Sequence, residues 1–176
     1  MARGMATEAG AATDRPVLLV DVDGVISLWG WPEGHPPAGA WTLVDGIAHF
    51  LSREAAHQLQ VLRNSFELVW CTGWEERANE HLPGALGLGP FPYLSFDRVK
   101  VKEGGRAHWK VAAIDAWTGP DRPVAWVDDG LDDEAVAWAA ARPGPTHLEP
   151  TVPAEGLTAA HAGRLAAWAA GLRARA

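Results

Sequence analysis

The sequence predicts an α/β fold: a central parallel β-sheet covered by helices on both faces, with a small β-hairpin flap after the first strand. Three observations point there. Short apolar runs rich in Val, Leu and Trp recur at 17–20, 66–71 and 123–127, the pattern of strands buried on both faces. Segments with helical spacing alternate with these runs, as parallel sheets require. Asp45-Gly46 stands between two further apolar runs and marks a two-residue hairpin turn. With 176 residues, 48% of them apolar, the chain has the size of one domain with an adequate core.

Residues 1–15 mix Ala, Gly, Thr, Arg, Glu and Asp without an apolar core, and read as a disordered leader rather than a signal peptide. Residues 16–176 then form the domain. The first strand is expected over 17–22, broken by Gly24. The stretch 27–51 follows as the flap: a Gly-, Pro- and Trp-rich loop, then the hairpin. Ser52 suits the cap of a helix reaching about residue 63. A buried strand over 66–71 comes next, then a short helix over 75–82 stopped by Pro83-Gly84. A loop and a short strand near 92–96 lead to a helix over 108–117, with Val111, Ile114 and Trp117 on one face. The strand 123–127 ends in Asp128-Asp129. A helix over 131–141 presents Leu131, Ala135 and Trp138 to one side and is stopped by Arg142-Pro143. A short strand over 146–148 and a last helix capped by Thr158, with Leu165, Trp168 or Ala169, and Leu172 inward, complete a Rossmann-like three-layer sandwich.

A net charge of −7 and a pI near 5.4 argue against nucleic acid or an anionic membrane as the main partner. No run approaches the roughly 18 apolar residues that span a bilayer, so the expected location is cytoplasmic. Cys71 is the only cysteine, which excludes an internal disulfide and a cysteine-based zinc site. It reads as a buried, inert thiol. The seven His lack metal-ligand spacing and read as surface or core residues. Of the ten Trp, those at 70, 109, 117, 126, 138 and 168 fit core positions. Trp29, Trp31 and Trp41 in the flap, and Trp74, either pack or stack on a substrate ring.

Four groups carry the chemistry. Asp21-Val-Asp23-Gly24 ends the first strand, Thr72-Gly73 ends the strand Leu68-Val-Trp-Cys71, Lys110 lies near a helix start, and Asp128-Asp129 ends the strand Val124-Ala-Trp-Val127. In a parallel sheet all strand ends share one edge, so residues distant in sequence meet in one crevice. Two acids at such a site are costly unless a cation binds them, and Mg²⁺ accepts two or three carboxylates while keeping waters. This set suits phosphoryl transfer through an aspartate. A carboxylate attacks phosphorus, a divalent ion bridges it to the anionic substrate, and a hydroxyl and an ammonium hold the remaining phosphate oxygens. Asp23 points to the other side of an extended chain from Asp21, where it can protonate the leaving oxygen and then activate water. Each group also has a plainer reading: loop-capping acids at 21 and 23, a strand end at Thr72, a solvated Lys110, helix-capping acids at 128 and 129.

Taken together and in this order, the four groups resemble the haloacid dehalogenase superfamily of aspartate-nucleophile phosphatases, over about residues 17–133. The resemblance implies Asp21 as nucleophile, Asp23 as general acid/base with its carbonyl on the metal, and Thr72, Gly73 and Lys110 on the phosphate. It implies Asp21, Asp23, Asp128 and Asp129 around Mg²⁺, with Asp129 the direct ligand, Asp128 close by or acting through water, and Asp133 in an outer shell. Lys100 and Lys102 compete with Lys110 for the lysine role. Residues 27–51 and 74–99 leave no room for a large cap domain, and capless members often take larger or more exposed phosphorylated substrates, or borrow a lid. The substrate is expected to be a small phosphorylated molecule or an exposed phosphate group, and the oligomeric state is open. Two other functions compete. One is a catalytically idle relative that binds a partner through the flap. The other is a receiver domain of a signalling relay, which shares the residue types but places its paired acids first and its Lys last.

Overall fold

A computed structural model describes residues 15–96 and 107–175. The central sheet is parallel throughout and has four strands: β1 (Val17–Val20), β5 (Glu67–Trp70), β6 (Val124–Asp128) and β7 (Thr146–Pro150), in the order β5-β1-β6-β7. A separate antiparallel sheet contains β2 (Ser27–Leu28), β3 (Gly39–Val44) and β4 (Ile47–Ser52), with β4 in the middle. Five α-helices are described: α1 (Arg53–Leu62), α2 (Arg77–Leu86), α3 (Val111–Thr118), α4 (Asp133–Ala141) and α5 (Ala159–Arg173).

β1 is flanked on both sides, Leu19 pairing with Val69 of β5 and with Trp126 of β6. All four of its residues are buried. Alternate residues serve opposite faces. Leu18 and Val20 join a core with Leu59 and Leu62 of α1, Leu82 of α2 and Leu165 and Ala169 of α5. Val17 and Leu19 join a second core with Ile114 of α3 and Ala135 of α4. Helices thus cover both faces, as a continuous apolar strand demands. After β1 the chain moves to β5 on one side. After β6 it moves to β7 on the other. The loops leaving β1 and β6 therefore diverge and open a crevice at their carboxyl ends, where such sheets bind ligands.

Local chemistry accounts for most boundaries. Asp45 (φ 51°) and Gly46 (φ 81°) both adopt positive φ, the backbone of a type I′ turn, so the hairpin forms where Asp-Gly marked it. The Ser52 side chain accepts the Ala55 N–H at 3.1 Å and caps α1. Asp132 caps α4 in the same way through the Ala135 N–H, so that helix starts at Asp133 and Leu131 lies before it. Thr158 and His161 form a reciprocal capping box at α5.

Four expectations need correction. The helix expected over 75–82 runs from Arg77 to Leu86, through Pro83. A proline removes only one donor, and the true stop is Gly87 in the left-handed conformation. Its N–H donates to the Pro83 carbonyl (3.0 Å), the Leu88 N–H donates to the Leu82 carbonyl (3.4 Å), and Leu88 is pulled into the core. The strand expected over 92–96 reduces to a single bridge of Tyr93 to Trp70. The loop before the hairpin contributes a third flap strand, β2, paired with Phe50 and Leu51. Of the Trp expected in the core, Trp70 and Trp126 are fully buried, whereas Trp109, Trp117, Trp138 and Trp168 pack at the rims of the two cores.

The leader expected over 1–15 lies outside the described residues except for Arg15, whose guanidinium donates to the Arg63 carbonyl at 2.8 Å. Lys100 and Lys102 also lie outside them. No described helix is long and apolar enough to cross a membrane.

Candidate functional site

Asp21 follows β1 directly, with its N–H bonded to the Val127 carbonyl of β6 (3.1 Å). Its side chain therefore emerges beside the end of β6, where Asp128 and Asp129 stand. Lys110 reaches the same point from the 3₁₀ turn Ala107–Lys110 that leads into α3. Its Nζ lies 2.8 Å from Asp21 Oδ2 and 2.6 Å from Asp128 Oδ2. The ammonium also sits 5.5 Å from the Trp109 ring centroid, a cation–π distance.

All three of these groups are buried, and a buried charge is held only by opposite charge and hydrogen bonds. Burial works to lower the Lys110 pKa. The Asp21 and Asp128 carboxylates outweigh it and raise that pKa above the usual lysine range, so the amine stays charged. Burial pushes the Asp21 carboxyl up to about 7, with Lys110 opposing the rise and Asp128 adding to it. Asp21 Oδ1 also accepts the Val22 N–H at 2.7 Å. One ammonium faces two carboxylates, which leaves an excess of negative charge.

A bound cation would balance that charge. Oxygens of Asp21, Asp128 and Asp129 lie within 4.8 Å of one another, close enough to share one ion. The donor set is entirely carboxylate, which suits a hard divalent cation such as Mg²⁺ and not a softer metal. The two paired acids differ in freedom. Asp128 Oδ1 accepts the Gly130 N–H (2.8 Å), and Oδ2 accepts from Lys110 and from the Trp126 indole (3.2 Å). Asp129 is half-buried, and burial followed by the Asp128 charge raises its pKa. It leans over Gly24, where a Cβ would meet Asp129 Cγ at 2.3 Å. β1 already ends at Val20, short of the expected residue 22, and Gly24 instead provides the seat for Asp129, at a φ of 73° that favours glycine. Thr151 ties this loop to β7, its hydroxyl donating to the Gly24 carbonyl (2.9 Å).

Asp23 stands outside the trio of possible ligands. Its side chain is about half exposed. The Trp74 indole N–H donates to its Oδ2 at 3.0 Å, and His49 Nδ1 lies 3.8 Å from its Oδ1. Thr72 is buried at the end of β5, the neighbour of β1, and its hydroxyl accepts the Trp74 N–H (3.3 Å). Gly73 borders open space. Among the described residues no hydrogen bond joins Thr72 or Gly73 to the acid–lysine cluster. Asp133, the first residue of α4, is not among the clustered acids.

The structure therefore brings Asp21, Lys110, Asp128 and Asp129 together and sets Asp23, Thr72 and Gly73 around them. Sequence reasoning missed two roles. Trp74 is neither a core filler alone nor a free stacking ring, since it holds Asp23. His49, read as a scattered histidine, sits edge-on to Trp74 with ring centroids 4.8 Å apart. The only signal available was position: Trp74 follows the Thr72-Gly73 corner directly. Of the flap tryptophans, Trp31 packs on Phe50 (4.6 Å between centroids), while Trp29 and Trp41 are exposed. Cys71 is fully buried, and burial pushes its thiol far up from the ordinary range, as suits an inert group.

No protein-family model matches the chain, and no curated protein matches it.

Proposed function

We propose that this chain is a Mg²⁺-dependent phosphohydrolase that cleaves phosphomonoesters through an aspartyl-phosphate on Asp21, with a Rossmann-like core of the haloacid dehalogenase kind. The observation that carries the reading is the joint placement of three carboxylates within 4.8 Å and a buried lysine 2.8 Å from the first of them. Fixed acids alone would fit any cation site. The lysine is what suits an anionic substrate, because it offers positive charge beside the nucleophile where phosphate charge must be held.

Bound Mg²⁺ would supply Lewis-acid charge that lets an anionic phosphate approach an anionic carboxylate. Asp21, Asp128 and Asp129 would hold it. An oxygen of Asp21 forms a bond to phosphorus as the ester oxygen departs, and the Asp23 carboxyl gives that oxygen its proton. The Asp23 carboxylate then takes a proton from water. The resulting hydroxide attacks phosphorus, inorganic phosphate leaves, and Asp21 is regenerated as a carboxylate. Thr72 and the Gly73 amide hold phosphate oxygens opposite Lys110. Among the described residues the flap is small and forms no full lid over the crevice, which suits a phosphate carried on a large or exposed substrate.

The test is release of p-nitrophenolate from p-nitrophenyl phosphate by the purified protein. Turnover is expected with millimolar Mg²⁺, falls to background with EDTA, and returns when Mg²⁺ is restored. Mg²⁺ binding without any turnover would instead mark an idle binding protein. A single stoichiometric phosphorylation would mark a receiver-like acceptor.

A further inference from the structure

Asp23 is held by a chain of contacts that runs back into the flap. The Trp74 indole donates to Asp23 Oδ2 at 3.0 Å. The His49 ring meets the Trp74 ring edge-on at 4.8 Å and 73°. His49 Nδ1 is in turn hydrogen-bonded to Ser27 Oγ at 2.8 Å. Trp74 itself is buried, and its backbone is pinned, with its N–H on the Thr72 hydroxyl and its carbonyl accepting the Arg77 N–H at 3.0 Å. The flap tip is tied to the start of α2, just beyond Trp74, since Asp45 pairs with Arg77 at 2.6 Å.

An indole N–H donates and never accepts. The oxygen it binds acts as an acceptor, and the carbonyl oxygen of a protonated carboxyl is the better acceptor, so the indole favours a proton on Oδ1. A side chain that is about half exposed would otherwise sample several rotamers and present either oxygen. We propose that Trp74, braced by His49 of the flap, is the positioning residue for Asp23: it fixes the carboxyl group so that Oδ1 alone exchanges the proton with the leaving oxygen. This rests on the phosphohydrolase reading above and adds to it. Trp74 touches no reacting atom; it acts through Asp23. Proton delivery depends on such placement because a misplaced donor loses most of the general-acid advantage.

Leaving groups separate this role from a merely structural one. An aryl oxide of an acidic phenol departs without a proton, whereas an alkoxide needs one. The experiment measures kcat/KM, which reports the steps up to phosphoryl transfer, across aryl and alkyl phosphates of graded leaving-group acidity. Trp74→Phe keeps a ring for His49 to meet and removes the N–H. It is expected to lower kcat/KM by about 10–100-fold for alkyl phosphates and by less than about threefold for the most acidic phenols. His49→Ala, which removes both the brace on Trp74 and the imidazole 3.8 Å from Asp23 Oδ1 while leaving the indole donor, is expected to steepen the same dependence to a smaller degree. In an Asp23→Asn background, Trp74→Phe is expected to change nothing further, because the group it positions is gone.

A uniform loss across the series, or an additional loss in the Asp23→Asn background, overturns the positioning role while leaving the phosphohydrolase reading intact. Should Trp74→Phe fail to fold, an unchanged dependence in His49→Ala overturns it instead. A wild-type protein that hydrolyses none of the esters overturns both.

Discussion

Asp21→Asn is expected to lose hydrolysis of p-nitrophenyl phosphate by on the order of 10⁴–10⁶-fold while keeping its fold. The rate loss follows from the proposed role, since an amide is a poor nucleophile toward phosphorus. The survival of the fold follows from the charges. The variant leaves Lys110 paired with Asp128 alone, one charge against one, at 2.6 Å. Asparagine can accept from only one of the two donors that Asp21 satisfies, Lys110 Nζ or the Val22 N–H. That loss is worth about 1 kcal/mol, and removal of the repulsion from Asp128 opposes it. Near pH 4, where Asp21 of the folded wild type carries its proton, metal-free stability is expected within about 1 kcal/mol of wild type, read from urea melts.

The same substitution should flatten a pH dependence. The Asp21 carboxyl sits at about 7 in the folded chain, against 3.8 when unfolded. Between those values the native state binds more protons than the unfolded state. The metal-free wild type therefore loses stability as pH rises through this window, by at most about 1.4 kcal/mol per pH unit from this group. Asp21→Asn removes that contribution, so its melts should change less from pH 5 to pH 7. An equal decline in both proteins would place the shifted proton elsewhere.

Lys110→Met is expected to damage both properties. It deletes the one ammonium that the structure sets between two buried carboxylates and leaves them facing each other without compensation. Breaking a buried ion pair by removing one partner costs about 3–5 kcal/mol. Part of this is recovered when the acids share a proton, so the deficit should shrink as pH falls. Mg²⁺ should narrow it as well, because a cation bound to the same acids restores the missing charge. Catalysis should not return with it, since the charge beside the phosphate is still absent. A Lys110→Met protein as stable as wild type at neutral pH without metal would mean that the carboxylates are not held as the distances indicate.

The convergence of these residues was legible because a parallel sheet forces it. Val-rich runs ending in Asp21, Thr72 and Asp128-Asp129 announce buried strands, and such strands in one sheet end on one edge. Lys110 was legible from its place at a helix start, and the hairpin from Asp45-Gly46. The supporting contacts were not. Gly24 against Asp129 joins two loops far apart in the chain, and no local pattern encodes so close an approach. Trp74 on Asp23 depends on a corner backbone, with Glu75 at φ 49°, that residue type does not specify. His49 alternates along β4 like any strand residue, so its position near Asp23 appears only once the flap is folded onto the body. Pro83 misled because its local penalty was read as a stop, whereas Leu88 burial beyond the Gly87 cap favours the longer helix. Packing decided that boundary, and propensity did not.

The central claim is that Asp21 becomes phosphorylated during turnover, and trapping the acyl phosphate tests it most directly. Protein quenched while hydrolysing p-nitrophenyl phosphate with Mg²⁺, then reduced with borohydride and digested, is expected to carry homoserine at position 21 and to lack it when Mg²⁺ is withheld. Steady hydrolysis with an unmodified aspartate at position 21, or with the label on another residue, would contradict the account.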